Sequence, residues 1–188
     1  MKIRASCTLD LHLEVETPLI LMLRPKSGAS QWVYREEYIF SHQVNVTEYQ
    51  DTFGNLCQRL IAPAAEFRIV TASEVETADA MDECPGAPFI SVDQLPADVL
   101  DYLVPSRYCE SDRLGEFTLS LVGQESMGYD QVAAISDWIR RTMPYLPGTS
   151  EFPLSALEVR AQGHGVCRDM AHLAIAMCRS ISIPARMV

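Results

Sequence analysis

Apolar and polar residues alternate strictly at the start of the chain. Apolar side chains stand at every second position from residue 3 to residue 15, with polar or charged residues between them. A period of two is typical of a β-strand with one buried face, and Pro18 interrupts the run. Further short strands are predicted at 19–24, 33–40, 44–49, 56–61 and 67–76, with the turn sequence DTFGN at 51–55 between two of them. This pattern predicts an antiparallel, sandwich-like β-domain over residues 1–77.

The pattern is lost over residues 78–114. The stretch DAMDECPGAPFISVDQLP is acidic, contains several prolines and has little period. Such a composition is typical of a linker or of a loop that covers a domain. A short helix is predicted at 98–104, where Pro105 ends it.

From about residue 115 the spacing of apolar residues becomes helical. The stretch 129–145 is predicted as a helix that begins at an Asp130 N-cap and stops at Pro144. Its predicted buried face consists of Val132, Ile135, Trp138, Ile139 and Met143. A short helix at 155–162 is closed by Gly163, which can adopt the left-handed cap conformation. The stretch 167–181 is apolar nearly all round, so it is predicted to be the buried central helix of its domain. The fold class expected is α+β.

Composition and charge narrow the range of functions. Apolar residues make up 48% of the 188 residues, enough for a hydrophobic core, and the net charge is −10. A strongly acidic chain without a basic stripe argues against nucleic-acid binding. The chain shows no apolar signal-peptide core and no stretch long enough to span a membrane. We therefore expect a cytoplasmic protein without membrane partners.

The six cysteines do not form a recognisable metal or redox motif. They are Cys7, Cys57, Cys84, Cys109, Cys167 and Cys178. Without a secretory signal, reduced thiols are expected rather than disulfides. Because no two of them form a C-x-x-C pair, we expect neither a metal site nor a cofactor.

Cys167 stands in a distinctive local sequence, GHGVCRDMAHLAIAMC at 163–178. It follows a turn with Gly163 and Gly165 and occupies the predicted first turn of the central helix. The N–H groups of a first turn carry partial positive charge, which favours a thiolate and can hold the oxyanion of a tetrahedral intermediate. The glycines would let the backbone approach a substrate carbonyl closely. A buried structural cysteine remains the alternative for Cys167, as it is the reading for Cys178 in the middle of the same helix.

The sequence GHGVCRDMAHLAIAMCRSISIPARMV resembles the catalytic-cysteine segment of bacterial transglutaminase-like proteins, within the papain-like superfamily. Met170 stands where that pattern usually has an aromatic residue. The upstream stretch DWIRRTMPYLPGTS resembles the preceding helix and loop of this family. LMLRP, FGN and YLVPSRYCESD resemble, more loosely, the β-domain that precedes the catalytic domain. The resemblance implies that residues 115–188 are part of a transglutaminase-like catalytic domain.

The resemblance also implies a chemistry and a catalytic residue. Cys167 would attack a glutamine side-chain amide or a peptide bond of a protein or peptide substrate and form a thioester. An amine or water would then resolve the thioester, with a histidine as base and acid and an aspartate to orient it.

The histidine and aspartate of that family lie on strands well after the Ile-Pro-Ala-Arg segment, whereas this sequence stops at Val188. His172 is five residues after Cys167, about 140° around a helix, so it is interpreted as structural. His164 is interpreted as a turn residue and Asp169 as a first-turn capping residue. We therefore expect a truncated chain that is inactive by itself.

Two functions remain open at this point. The leading one is a transglutaminase-like cysteine acyltransferase or protease with Cys167 as its nucleophile. The other is a non-catalytic protein-binding module with a vestigial cysteine. With later strands absent, the helix face with Ala171, Ala174 and Cys178 would be bare, so self-association through it is expected.

Overall fold

The computed structural model of the protein describes residues 1–28, 31–80, 83–123, 127–148 and 152–187. The chain divides into two compact units, Met1–Asp82 and Glu83–Val188. Antiparallel sheets make up the first and helices dominate the second, so the predicted α+β class is confirmed.

The part of the first unit that the structure describes contains two three-stranded antiparallel sheets. The strands are β1 (Lys2–His12), β2 (Thr17–Leu21), β3 (Gln31–Phe40), β4 (Thr47–Gln50), β5 (Leu56–Ala62) and β6 (Glu66–Thr77). One sheet has the order β1-β6-β3 and the other β2-β5-β4. Leu60 and Ala62 of one sheet pack with Phe67 and Ile69 of the other in a common core, so the two sheets form a sandwich.

The alternation that predicts β1 holds only over part of its length. Cys7, Leu9 and Leu11 turn inward, but Ile3 and Val15 are exposed and β1 ends at His12. Pro18 does not break a strand; it lies inside β2, opposite Ile61 of β5. A proline is tolerated there because β2 is an edge strand of its sheet, where an N–H on the outer side has no partner.

A group of ion pairs in the first unit is centred on Arg24. Its guanidinium donates to both carboxylate oxygens of Glu36, at 2.8 and 2.7 Å, and to Glu48 at 2.5 Å. Gln58 also donates to Glu48, at 2.9 Å. Since Glu36 lies on β3 and Glu48 on β4, Arg24 joins the two sheets.

Within its described residues, the second unit contains four α-helices and three short 3₁₀ helices. The α-helices are α1 (Gly115–Val122), α2 (Tyr129–Thr142), α3 (Ala156–Gln162) and α4 (Cys167–Ser180), and the 3₁₀ helices are Val92–Gln94, Ala97–Leu103 and Ser111–Arg113. The helix expected at 98–104 is thus a 3₁₀ helix. Within the described ranges, no helix is long and apolar enough to cross a bilayer, since the longest have 14 residues.

Helix α4 is the centre of this unit, as its apolar sequence predicts. Leu173, Ala176 and Met177 are completely buried and pack with Ile135 of α2 and Val159 of α3. Cys178 is also buried, at 6% exposure, so it does not lie on a bare helix face. Ala171 and Ala174 are half-buried.

The start of α2 differs from its prediction. Gly128, not Asp130, is the N-cap, and the Gln131 side chain accepts its N–H at 3.1 Å. The Asp130 carboxylate instead accepts the N–H of Gly86 at 3.4 Å. On the predicted buried face, Ile135, Ile139 and Met143 are buried, whereas Val132 is 37% exposed.

Candidate active site

Cys167 is exposed, although the helix that it begins is buried. It is the first residue of α4, and only the C-terminal part of that helix forms the core of the unit. The thiol therefore stands where a core helix reaches the surface. A structural cysteine of the ordinary buried kind does not occupy this position.

The turn before Cys167 is built from two glycines with different roles. Gly163 ends α3 in the left-handed conformation, with φ of 74°, as predicted. Gly165 is buried and pairs with the extended segment 144–146: its N–H donates to the Pro144 carbonyl at 3.3 Å and its carbonyl accepts the Leu146 N–H at 3.0 Å. Helix α3, this short pairing and α4 together determine the position of Cys167.

The buried side chain of Asp169 stabilises the same turn. Its side chain is completely buried, and one carboxylate oxygen accepts the N–H of Val166 at 3.1 Å. The other oxygen accepts from Arg168 at 3.2 Å. The prediction that Asp169 caps the helix is thus confirmed, and the Arg168 guanidinium compensates its negative charge.

The main chain at Cys167 offers a hydrogen-bond donor. The N–H groups of a first helical turn have no partner within the helix, and among the described residues none accepts the N–H of Cys167. This N–H lies on the residue that carries the thiol. It can therefore donate to an oxygen on a carbon that the sulfur attacks.

Both histidines of the second unit have structural partners. The Nδ1 of His172 lies 3.2 Å from the Leu154 carbonyl, so this nitrogen carries the proton, and the ring stacks on Tyr108 at 5.1 Å between centroids. The Nδ1 of His164 lies 3.1 Å from the amide nitrogen of Gln162, which also donates to the His164 carbonyl. The structural interpretation of both residues agrees with these contacts.

The other cysteines of this unit differ from Cys167 in burial or in their place in the fold. Burial raises the pKa of the Cys178 thiol to about 11, and burial is also the main cause of a raised pKa at Cys109. Cys84 is exposed like Cys167, but it lies outside any helix. Within the part of the chain that the structure describes, no group of three or more histidine, cysteine, aspartate or glutamate side chains is arranged to hold a metal ion.

Residues from the acidic segment support the site, which the sequence pattern did not indicate. The Tyr108 carbonyl accepts the N–H of Ala156, and the Glu110 carboxylate accepts that of Leu157, at 2.8 and 3.2 Å. Together with the Ser155 side chain, which accepts from Glu158, these groups complete the N-terminus of α3. Cys109 lies in the core between them. The signal in the sequence was the resemblance of YLVPSRYCESD to the family, since this stretch contains Tyr108, Cys109 and Glu110.

Comparison with known proteins finds a family model that matches part of the second unit and relatives that match most of the chain. Residues 115–188 match the model of the transglutaminase-like superfamily. A solved structure described as "a Putative Cysteine Protease from Cytophaga hutchinsonii" matches with a TM-score of 0.85 and 28% identity, over 98% of this chain and 67% of that one. An uncharacterized protein of Mycobacterium leprae (strain TN) is 27% identical over 173 residues, 88% of this chain and 61% of that protein.

These matches confirm the resemblance seen in the sequence. Residues 115–188 match the transglutaminase-like superfamily, and the chain as a whole has a transglutaminase-like fold. The chain spans about three fifths of the length of its curated relative.

Proposed function

We propose that the protein is a cysteine acyltransferase or hydrolase of amide bonds in which Cys167 is the nucleophile. The observation that carries this proposal is the exposed thiol at the first residue of the core helix α4, beside its own N–H, which no residue in the described ranges accepts. The family of residues 115–188 supports the same chemistry.

The reaction begins with the Cys167 thiolate. Its sulfur attacks the carbonyl carbon of a glutamine side-chain amide or a peptide bond, and the carbonyl oxygen takes up the electron pair and faces the Cys167 N–H. The intermediate collapses, the C–N bond breaks, and the leaving nitrogen takes a proton. Water or an amine then attacks the thioester and releases Cys167, giving hydrolysis or acyl transfer respectively.

The proton transfers require a group other than His164 or His172. His172 follows Cys167 by five residues on α4, about 140° around the helix, so its ring diverges from the thiol. Gln162 binds both the ring and the main chain of His164. We propose that the base and its orienting carboxylate come from outside residues 1–188. The 188-residue chain alone then has little amidase or transamidase activity, because general acid–base help is typically worth roughly 10²–10⁴ in rate.

The test compares the 188-residue chain with the longest polypeptide that its gene encodes. Hydrolysis of peptides and incorporation of a fluorescent amine into a glutamine-containing protein are measured for both. We expect activity only from the longer polypeptide, lost in Cys167→Ala and retained in Cys84→Ala, which removes the other exposed thiol of this unit. Activity that survives Cys167→Ala would overturn the proposal, and inactivity of every form would favour the non-catalytic binding module.

A further inference from the structure

Strand β1 has one long open edge. It is an outer strand of the sheet β1-β6-β3, and its 11 residues pair with β6 in an unbroken register. Met1 and Thr77 exchange both of their main-chain hydrogen bonds, so the N–H and carbonyl groups of the odd-numbered residues face β6. The main-chain groups of the even-numbered residues face the opposite side, where no described residue forms a hydrogen bond with them. These residues are Lys2, Arg4, Ser6, Thr8, Asp10 and His12.

The other outer strands of the described sheets have features that oppose further pairing. β2 has five residues and contains Pro18, and β4 has four residues. β3 has an irregular register between Val33 and Arg35, and the Val33 N–H already donates to the Ser27 hydroxyl at 3.0 Å. β1 is long and regular and contains neither proline nor glycine, so its open edge is suited to pairing with another strand.

We propose that this edge binds β1 of a second copy of the chain in an antiparallel arrangement, which joins the two sheets into one. The pairing is centred on Cys7, so that Lys2 lies opposite the partner's His12 and His12 lies opposite the partner's Lys2. In this register all residues of β1 are paired, and the even-numbered residues of the two copies exchange about twelve main-chain hydrogen bonds. The inference is independent of the function proposed for Cys167.

The charges of β1 are self-complementary in this register. Arg4 lies opposite the partner's Asp10 on the outer face of the sheet, and the same pair recurs across the two-fold axis. Arg4 forms no ion pair with a described residue, and Glu74, across from it on β6, lies 3.9 Å from Arg35 instead. Asp10 accepts from Arg68 at Oδ1, so its Oδ2 can accept from a second guanidinium. Opposite charges directly across two strands stabilise their pairing, whereas an in-register parallel arrangement would place like charges together.

The side chains on the inner face of β1 also match in this register. Ile3 is 40% exposed although it lies on the inner face, and the partner's Leu11 lies opposite it. Ala5 lies opposite the partner's Leu9. Each of these contacts removes apolar surface from water. Cys7 lies opposite the partner's Cys7, and because its main-chain groups face β6, this central pair is not hydrogen-bonded and its Cα atoms are about 4.5 Å apart.

Sedimentation equilibrium of the 188-residue chain measures the dissociation constant of the dimer. Ser6→Pro removes an N–H from the open edge and leaves the bonds to β6 intact, because the main-chain groups of residue 6 face outward. We expect this variant to raise the dissociation constant at least about tenfold, since the lost bond recurs in both copies. Ser6→Ala is the matched control, which keeps the N–H and should change the constant by less than about threefold. Circular dichroism checks that both variants are folded.

An exchange of charges tests the register. Arg4→Asp places two carboxylates opposite each other in the dimer, and Asp10→Arg places two guanidinium groups opposite each other. Each variant alone should raise the dissociation constant roughly three- to thirtyfold. An equimolar mixture of the two variants again pairs opposite charges at both positions. The mixed dimer should therefore regain the affinity of the parent chain to within about threefold.

Cross-linking with dibromobimane locates the centre of the pairing. Each thiol sulfur forms a bond to one methylene carbon of the reagent and displaces bromide, so two chains are joined where their thiols are adjacent. The background Cys84→Ser, Cys167→Ser removes the exposed thiols. In this background we expect a covalent dimer, which the further change Cys7→Ser abolishes.

A chain that stays monomeric up to its solubility limit would overturn the proposal, and so would a dimer that Ser6→Pro leaves unchanged. Failure of the mixed charge variants to recover affinity would also overturn it, because the copies would then meet in another register or at another surface. The same holds for a dimer that dibromobimane does not join through Cys7. None of these outcomes changes the assignment of Cys167, which the activity assays test separately.

Discussion

Gly165 and Asp169 pack so closely that a Cβ atom on residue 165 would lie 2.9 Å from the Cβ of Asp169. The glycine before the cysteine is therefore required by the buried carboxylate one helical turn later. The sequence predicts that this glycine makes room for a substrate carbonyl, and the structure shows that it also has an internal partner. Gly165 and Asp169 set the turn that presents Cys167.

Gly165→Ala should lower both stability and the reactivity of Cys167. The added methyl group must displace the Asp169 side chain, and overpacking of this kind costs about 1–3 kcal/mol. Urea unfolding followed by Trp138 fluorescence in a Trp32→Phe background reports on the second unit, since the chain has two tryptophans. Iodoacetamide alkylation of Cys167 should slow.

Gly163→Ala is the matched control for that variant. No atom lies within 4 Å of a Cβ added at Gly163, but the φ of 74° at this residue imposes a strain of about 1–2 kcal/mol on alanine. We expect a comparable loss of stability and an unchanged alkylation rate at Cys167. Equal slowing in both variants would show that reduced stability, rather than the contact between Gly165 and Asp169, governs the thiol.

Asp169→Ala should destabilise the second unit by about 2–4 kcal/mol, because it leaves the Val166 N–H without its acceptor and Arg168 without its counter-ion. The control is Asp137→Ala on α2, whose carboxylate pairs with Arg140 and Arg141 at the surface. That exposed pair should contribute only about 0–1 kcal/mol. Urea unfolding measures both, and equal losses would contradict the structural role of Asp169.

Cys178 should resist alkylation over the whole neutral range. With a pKa of about 11 its thiol stays protonated at pH 8, and its side chain is buried. We expect iodoacetamide at pH 8 to modify Cys167 at least about 100-fold faster than Cys178 in the folded chain. In guanidinium chloride the difference should disappear. A fast reaction of Cys178 without denaturant would contradict the packing of α4.

The pH dependence of the first unit should include a contribution from Glu48. The Gln58 amide and then Arg24 lower the pKa of Glu48 in the folded state. A lowered folded pKa means that the unfolded chain binds the proton first as pH falls. The contribution to stability is therefore present above the ordinary glutamate pKa of about 4.3 and is lost below it.

Glu48→Gln should accordingly flatten the loss of unfolding free energy between about pH 5 and pH 3. Urea unfolding followed by Trp32, in a Trp138→Phe background, measures it for the first unit. Glu14→Gln, at an exposed position after β1, is the matched control and should leave the slope unchanged. An identical slope in Glu48→Gln and the parent chain would contradict the interaction with Gln58 and Arg24.

Much of the fold follows from the sequence because local periodicity and burial coincide. The six strands and the helices α2, α3 and α4 stand where the spacing of apolar residues predicts them. The N-cap of α2 could not be predicted, since Gly128 owes its role partly to the neighbouring segment: the Ala87 carbonyl accepts the N–H of Tyr129 at 3.0 Å. Such a contact between residues 42 positions apart leaves no periodic signal.

In the candidate site too, local features could be predicted from the sequence and tertiary contacts could not. Cys167 could be singled out because turn and helix start are local features of the chain. The pairing of Gly165 with residues 144–146 and the support of α3 by Tyr108 and Glu110 are tertiary contacts. No spacing rule connects these segments, so their contacts become visible only in the folded chain.

Acylation of the 188-residue chain by p-nitrophenyl acetate tests the nucleophile most directly. This ester needs no acid to release its leaving group, so thioester formation at Cys167 does not depend on a separate acid–base group. An anion is stabilised at a helix N-terminus, so we expect Cys167 to be acylated roughly three- to tenfold faster than Cys84. Cys84 is also exposed but lies outside any helix. Mass spectrometry of the two cysteine peptides should find the acetyl group first on Cys167, and added hydroxylamine should remove it. Acylation of Cys84 at the same rate or faster would contradict the account.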